Sequence, residues 1–163
     1  MSNYDIAMIC LNGHVINSRA RRFPQWNAEY CEKCGSKTIV KCEQCHAFIR
    51  GKYGDPDPTG YHETTYIKPK FCQKCGHPYP WTKASIKAVK EFIEEELDLS
   101  KDDKTTLASS VDILACDNPQ TQVVASRFKR IASNIGSESL KAFKDILVNV
   151  LSETAKKIIF PGL

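Results

Sequence analysis

Closely spaced pairs of cysteine and histidine residues in the first half restrict the possible folds of this sequence more than any other feature. Seven of the eight cysteines lie within the first 75 residues of the 163-residue chain. Six of them form pairs separated by two residues, a spacing that lets both sulfurs of a pair face one ion across a tight turn. The seventh lies four residues before a histidine. The four pairs are Cys10 and His14, Cys31 and Cys34, Cys42 and Cys45, and Cys72 and Cys75.

Eight such ligands are enough for two zinc ions, because a structural zinc site takes four sulfur or nitrogen ligands. The residues next to the pairs suit tight turns. Gly35 and Gly76 follow the second cysteine of their pairs, and glycine tolerates the positive φ that such a turn needs. Gly13 supplies the turn between Cys10 and His14. The sequence therefore predicts two Zn²⁺ cofactors in structural sites.

The spacing leaves open which pairs share an ion. Sequential pairing joins the first pair to the second and the third to the fourth, which makes two zinc ribbons in tandem. Crossed pairing joins first to third and second to fourth, and nested pairing joins second to third. Loop entropy does not decide, because lengthening a loop from 7 to 26 residues costs only about 1.2 kcal/mol. We favour the sequential arrangement.

Other uses of these cysteines fit the sequence less well. The N-terminal residues have no secretory-signal pattern, which argues against disulfides. A redox enzyme of the C-x-x-C thiol type would need a βαβ context that is not visible, and iron–sulfur ligation is a further alternative. Catalytic zinc needs an open coordination position. His62-Glu63 is an isolated dipeptide, interpreted as a surface feature and not as a catalytic pair. Cys116 is interpreted as a buried thiol on the apolar side of a predicted helix. We therefore predict that the protein is not an enzyme.

Residues 82–163 change to helical periodicity. We predict a double zinc-ribbon domain of short antiparallel β-hairpins over residues 1–81 and a helical domain of about four helices over residues 82–163, an α+β fold. The predicted helix starts are Thr82, Ser100, the Asn118-Pro119 pair and Ser137. The last and longest apolar stripe runs over residues 140–159 as one helix.

Composition and charge restrict the kinds of partner that the protein could bind, but they do not identify one. No apolar stretch approaches the roughly 18 residues of a membrane span, so we expect a cytoplasmic protein without membrane contact. Residues 1–82 carry 11 basic and 7 acidic side chains, a formal +4. Seven thiolates and two Zn²⁺ would reduce this to about +1. The net charge is therefore no argument for long-range electrostatic attraction of an anionic partner. The leading interpretation is a non-enzymatic adaptor that binds a protein partner; the sequence does not define its oligomeric state.

Nucleic-acid binding is the alternative function. Basic and aromatic side chains alternate in one predicted loop, which is typical of proteins that bind single strands. These residues are Arg19, Arg21, Arg22, Phe23 and Trp26. A second basic cluster, Arg127, Lys129 and Arg130, is interpreted as the solvated face of a helix.

The cysteine motifs also carry a family resemblance. They read Cys10-x-Asn-Gly-His14-Val-Ile-Asn17, Tyr-Cys31-x-x-Cys34-Gly, Cys42-x-x-Cys45 and Phe-Cys72-x-x-Cys75-Gly-His-Pro-Tyr-Pro-Trp81. This pattern resembles a family of small uncharacterised bacterial proteins with an N-terminal double zinc ribbon. The likeness continues into the helical region at residues 125–129 and 152–157. The resemblance implies a bacterial cytoplasmic protein with two zinc ions, and it implies no mechanism.

Overall fold

The chain divides into two compact units. The computed structural model describes residues 3–54 and 65–162. The cysteine-rich unit spans Met1–Lys83 and the helical unit spans Ala84–Leu163. The predicted domain boundary, between residues 81 and 82, lies close to this division. His62-Glu63 lies outside the described residues.

Short antiparallel strands form the sheets of the cysteine-rich unit. Strand β2 (Met8–Cys10) is the centre of a three-stranded sheet, with β3 (Val15–Asn17) on one side and β4 (Thr38–Ile39) on the other. Strand β1 (Tyr4–Ile6) pairs with β5 (Arg50–Tyr53) in a second, two-stranded sheet. Strands β2 and β3 are therefore one of the predicted antiparallel hairpins, with Gly13 in its turn.

The apolar core of the cysteine-rich unit is small. The rings of Tyr79 and Trp81 stack with their centroids 4.7 Å apart. The Trp81 indole Nε1 donates a hydrogen bond to the Pro69 carbonyl at 2.9 Å. Seven buried residues form the cluster, and two of them are cysteines: Ala7, Ile9, Cys42, Ile49, Cys72, Tyr79 and Trp81.

The helical unit has a larger core. Its elements are α1 (Pro80–Glu96), which begins in the cysteine-rich unit, α2 (Lys101–Leu114), α3 (Thr121–Ala132), α4 (Ser137–Leu147) and α5 (Glu153–Ile159). Eighteen buried apolar residues pack together between them. Among the described residues, no helix is long and apolar enough to cross a membrane. Short antiparallel strands followed by helices confirm the predicted α+β class.

The stripe over residues 140–159 does not form one helix. Helix α4 ends at Leu147 and α5 begins at Glu153, so the described unit has five helices and not four. Ser152 causes the break. Its backbone N–H donates to the Leu114 carbonyl of α2 at 2.8 Å, and its side chain accepts from the Ala155 N–H. A tertiary hydrogen bond thus replaces a helical one, while the apolar spacing on both sides remains compatible with one helix.

Three of the four predicted helix starts are displaced. Ser100 does cap α2, since its hydroxyl accepts from the Asp103 N–H. Helix α1 starts at Pro80, so Thr82 lies inside the helix and its hydroxyl donates to the Lys70 carbonyl at 2.7 Å. Asn118 forms a turn before α3 by accepting from the Gln120 N–H. Ser137 is the first residue of α4, and Gly136 holds the cap position.

Cys116 also departs from its prediction as a buried helical thiol. It lies beyond the end of α2, in a bend, and is half-buried. Because α2 ends at Leu114 with its C-cap at Ala115, Cys116 lies outside the helix and not on its apolar face.

Candidate metal centres

The three cysteine pairs have the same backbone hydrogen bonds. In each pair, the N–H after the second cysteine donates to the carbonyl of the first: Gly35 to Cys31 at 2.7 Å, His46 to Cys42 at 2.9 Å and Gly76 to Cys72 at 2.8 Å. An isolated antiparallel bridge closes each turn, at Tyr30 and Lys37, Lys41 and Phe48, and Phe71 and Pro78. The repeated spacing therefore encodes three copies of one turn.

Each turn needs a left-handed residue after its second cysteine. The φ angles there are 69° at Gly35, 71° at Gly76 and 58° at His46. The expectation of positive φ at the two glycines is confirmed. His46 holds the same conformation with a side chain, which costs an L-residue roughly 1–2 kcal/mol. The turn geometry, imposed by Cys42 and Cys45, therefore overrides the preference of the residue.

Exchanging residues at this position tests the backbone argument. We expect His46→Gly to stabilise the cysteine-rich unit by about 0.5–1 kcal/mol, because glycine adopts this φ without steric cost. Gly76→Ala is the matched opposite change and should destabilise by about 1–2 kcal/mol. A Cβ at Gly76 meets no atom within 4 Å, so the cost of the substitution comes only from placing an L-residue in the left-handed backbone conformation. Thermal unfolding of the metal-loaded protein measures both, and shifts of the same sign would contradict the argument.

The first and second pairs converge into one group. The ligand atoms of Cys10, His14, Cys31 and Cys34 all lie within 4.8 Å of one another. His14 Nδ1 is 3.5 Å from Cys10 Sγ and 3.6 Å from Cys31 Sγ. Cys10 Sγ and Cys34 Sγ are 3.8 Å apart. The His14 backbone N–H also points at Cys10 Sγ, at 3.2 Å, which stabilises negative charge on that sulfur.

The third and fourth pairs form the second group. Cys42, Cys45, Cys72 and Cys75 also have their sulfurs within 4.8 Å of one another. The Sγ–Sγ distances are 3.8 Å between Cys42 and Cys75 and 3.6 Å between Cys45 and Cys72. All eight cysteines of the chain are free thiols. The structure thus brings the pairs together sequentially, and not in the crossed or nested arrangement.

These distances fit tetrahedral coordination. Zinc–sulfur bonds of about 2.3 Å give a tetrahedron whose edge is about 3.8 Å, and replacing one sulfur by nitrogen at about 2.05 Å shortens an edge to about 3.6 Å. The measured values of 3.6–3.8 Å between sulfurs and 3.5–3.6 Å from nitrogen to sulfur match both edges. A disulfide would need about 2.05 Å. Each group could therefore hold one metal ion.

The thiols of each group differ in acidity. Hydrogen bonds from the Ser36 backbone and hydroxyl lower the pKa of Cys34 to about 5. Burial raises the pKa of Cys72, but backbone hydrogen bonds from Cys75 and Lys74 outweigh it and lower the value to about 6. A backbone hydrogen bond from His77 lowers the pKa of Cys75, yet desolvation and the neighbouring thiols raise it to about 12.

Crowded thiols thus retain protons that a cation would displace. Burial also raises the pKa of Cys10 in the first group. Metal ligation requires thiolates, so binding of a divalent ion releases these protons.

Two groups that support the centres had no signal in the sequence. Lys68 donates from Nζ to the Gly13 carbonyl, inside the Cys10–His14 turn, although 55 residues separate them. Burial lowers the pKa of Lys68, and the charge of Cys10 acts in the opposite direction. Tyr79 lies against the second group, where burial and then the charge of Cys72 raise its pKa. Distant contacts of this kind leave no local pattern.

The predicted nucleic-acid residues occupy one region of the cysteine-rich unit. The Phe23 and Trp26 rings stack at 4.8 Å, and the Arg22 guanidinium lies 5.8 Å from the Phe23 centroid. The backbone N–H groups of Arg21 and Arg22 donate to the Asp5 carboxylate. Arg127, Lys129 and Arg130 lie on α3 with exposed side chains, as expected of a solvated face.

The chain is thus an α+β protein with two four-ligand groups in its strand-and-turn unit, followed by a helical unit. One group consists of three cysteines and a histidine, and the other consists of four cysteines. The chain belongs to the family described as "Uncharacterized protein conserved in bacteria" (DUF2321), whose model matches residues 3–159. The resemblance drawn from the cysteine motifs is confirmed. No curated protein and no solved structure matches the chain.

Proposed function

We propose that the protein is a non-enzymatic binding protein whose cysteine-rich unit is held together by two zinc ions. One observation carries this proposal: eight ligand atoms meet in two compact groups of four. Sulfur with nitrogen at tetrahedral distances is a donor set that suits zinc, whereas magnesium and calcium take oxygen ligands. Cys10, His14, Cys31 and Cys34 would hold one ion, and Cys42, Cys45, Cys72 and Cys75 the other.

The zinc ions are proposed to be structural. A catalytic zinc keeps a position for water or substrate, whereas each of these groups supplies four protein ligands. The same closure argues against a thiol-redox enzyme, because a cysteine bound to zinc is not a free nucleophile. A cytoplasmic location belongs to the same proposal, since a reducing compartment keeps the cysteines available as ligands.

The partner distinguishes two versions of this function. An adaptor that binds another protein is the version favoured by sequence, and nucleic-acid binding is its alternative. The described surface supports the alternative, because Trp26 is 61% exposed and stacks on Phe23, and the Arg22 guanidinium lies over the ring of Phe23. An exposed ring beside cations offers a stacking platform for a base.

A pull-down from source-cell extract tests the binding role. The bait is the full-length zinc-loaded protein, and the extract is divided into nuclease-treated and untreated halves. We expect nucleic acid in the untreated half, and we expect any associated proteins to be lost after nuclease treatment.

Three results would change the proposal. A protein partner that survives nuclease treatment would restore the adaptor version. Absence of any partner in both halves would contradict the binding role. Turnover of a disulfide substrate by the zinc-loaded protein would contradict the non-enzymatic assignment.

A further inference from the structure

We infer that a continuous strip of cationic and aromatic side chains on the cysteine-rich unit binds single-stranded nucleic acid, with phosphates in a cleft at Arg19 and a base on Trp26. This inference rests on the proposed binding function and specifies its partner. It adds Lys52, Arg50 and the aromatic residues around them to the loop that the sequence indicated.

The centre of the strip is a cationic cleft of about 170 Å³. Arg19 Nε is buried and has no hydrogen-bond partner among the described residues. A buried donor without a partner is unfavourable, and an anionic oxygen would satisfy it. Four cationic side chains line this cleft: Arg19, Arg21, Arg22 and Lys52.

The acidic residue in the cleft is already satisfied. Asp5 accepts hydrogen bonds from three backbone N–H groups: Ile6 at 2.6 Å, Arg21 at 3.0 Å and Arg22 at 3.2 Å. These bonds stabilise the carboxylate without using a guanidinium group. Within residues 3–54 and 65–162, no salt bridge joins a carboxylate to the four cations of the cleft. The cleft therefore retains positive charge for an external anion.

The strip extends on both sides of the cleft. A groove of about 450 Å³ shares Tyr4, Asp5 and Arg21 with it and continues past Arg50 and Phe48. Arg50 lies 4.5 Å from the Tyr4 ring centroid, and Phe48 is 48% exposed. On the other side, Arg22, Phe23 and Trp26 lead to a groove of about 190 Å³ whose lining includes Trp26, Tyr30, Lys33 and the acidic Glu32.

This arrangement fits a linear polyanion with planar groups. Single-strand binding combines a basic groove that follows the backbone with aromatic side chains on which bases stack. A duplex keeps its bases inside the stack, so Trp26, Tyr30 and Phe48 would have nothing to bind. A phosphorylated peptide would satisfy the cleft and leave the exposed rings of the strip without ligands. Single strands use both properties of the strip.

Fluorescence anisotropy with a labelled single strand of about 12 nucleotides tests the inference on the full-length zinc-loaded protein. Trp26→Ala should weaken binding by about 5- to 160-fold, the loss of one stacked base. Trp26→Phe should retain binding and abolish the quenching of tryptophan fluorescence by the oligonucleotide, because the other tryptophan, Trp81, is 3% exposed.

The cleft is tested through the salt dependence. Arg21→Ala with Arg22→Ala should reduce the slope of log K against log salt by about 1.4, or about 0.7 for each phosphate contact. Both substitutions retain the backbone N–H groups that bind Asp5, so the loop should keep its structure. Arg127→Ala with Arg130→Ala on α3 is the matched control, and it should leave affinity and slope unchanged.

Several results would overturn the inference. One is no binding at about 50 mM salt, where phosphate contacts are strong. Another is equal affinity for duplex, and a third is equal loss in the α3 control. The zinc content of the protein used in the binding assay separates two kinds of failure. If it stays at two ions per chain, a negative result contradicts only the nucleic-acid partner. Loss of zinc would instead contradict the proposed function itself.

Discussion

Removing both zinc ions is expected to unfold the cysteine-rich unit while the helical unit stays folded. Structural zinc contributes about 10–16 kcal/mol in small zinc-binding peptides, which exceeds or equals the roughly 5–15 kcal/mol stability of a whole domain. The cysteine-rich unit has seven residues in its buried cluster, and two are the metal-binding cysteines Cys42 and Cys72. The helical unit has eighteen buried apolar residues and no part of either group.

A chelator titration followed by two signals measures this difference. Trp81 is 3% exposed and lies in the core of the cysteine-rich unit, so its fluorescence should shift to the red as zinc leaves. Far-ultraviolet circular dichroism should retain most of its helical signal. Metal analysis should find two zinc ions per chain before chelation and none afterwards, and added zinc should restore the fluorescence.

Single substitutions assign the ions to their groups. Cys31→Ser and Cys45→Ser should each remove one zinc ion, from the first and second group respectively. Cys116→Ser is the matched control, because Cys116 belongs to neither group, and it should retain both ions. A chain without zinc that keeps Trp81 buried would contradict the structural role.

Truncation of Phe143 is expected to destabilise the helical unit and to leave the cysteine-rich unit unchanged. Phe143 on α4 is fully buried and stacks on Phe92 of α1 at 5.7 Å and on Phe128 of α3 at 6.1 Å. Phe143→Ala removes a ring that joins three helices and leaves a cavity, which typically costs about 3–5 kcal/mol. The helical unit should therefore lose about 3–5 kcal/mol of its stability, and the zinc content should not change.

Urea unfolding followed by far-ultraviolet circular dichroism tests this expectation. Val123→Ala on α3 is the control, since Val123 is 62% exposed and its truncation should change stability by less than about 0.5 kcal/mol. A loss below about 1 kcal/mol for Phe143→Ala would contradict the aromatic core. Release of zinc from this variant would show that the two units do not respond separately.

Local patterns predicted the parts of this protein whose physics is local. A cysteine spacing of two residues and a following glycine specify a turn, and the turn recurs at Cys31, Cys42 and Cys72 with the same hydrogen bonds. The periodicity of apolar residues, which also depends only on near neighbours in the sequence, predicted the helical unit. The cap at Ser100 was also predictable, because its partner Asp103 lies only three residues away.

Caps and breaks that depend on distant partners were not predictable. Two helices share the apolar stripe over residues 140–159, because the Ser152 N–H bonds to the Leu114 carbonyl and not within a helix. Thr82 lies inside α1, and its hydroxyl bonds to the Lys70 carbonyl. His46 occupies a left-handed position that its residue type does not favour. In each case the tertiary structure outweighs the local preference of the residue.

The eight candidate ligands, the turns that present them, the helical second half and the α+β class can all be read from the amino-acid sequence, because spacing and periodicity act over a few residues. The pairing of the ligands depends on the three-dimensional fold, since chain entropy barely distinguishes a loop of 7 residues from one of 26. The fold also brings Arg19 and Lys52 together in one cleft. Strand pairing and packing bring such residues together from separate parts of the chain, and no local pattern records that proximity.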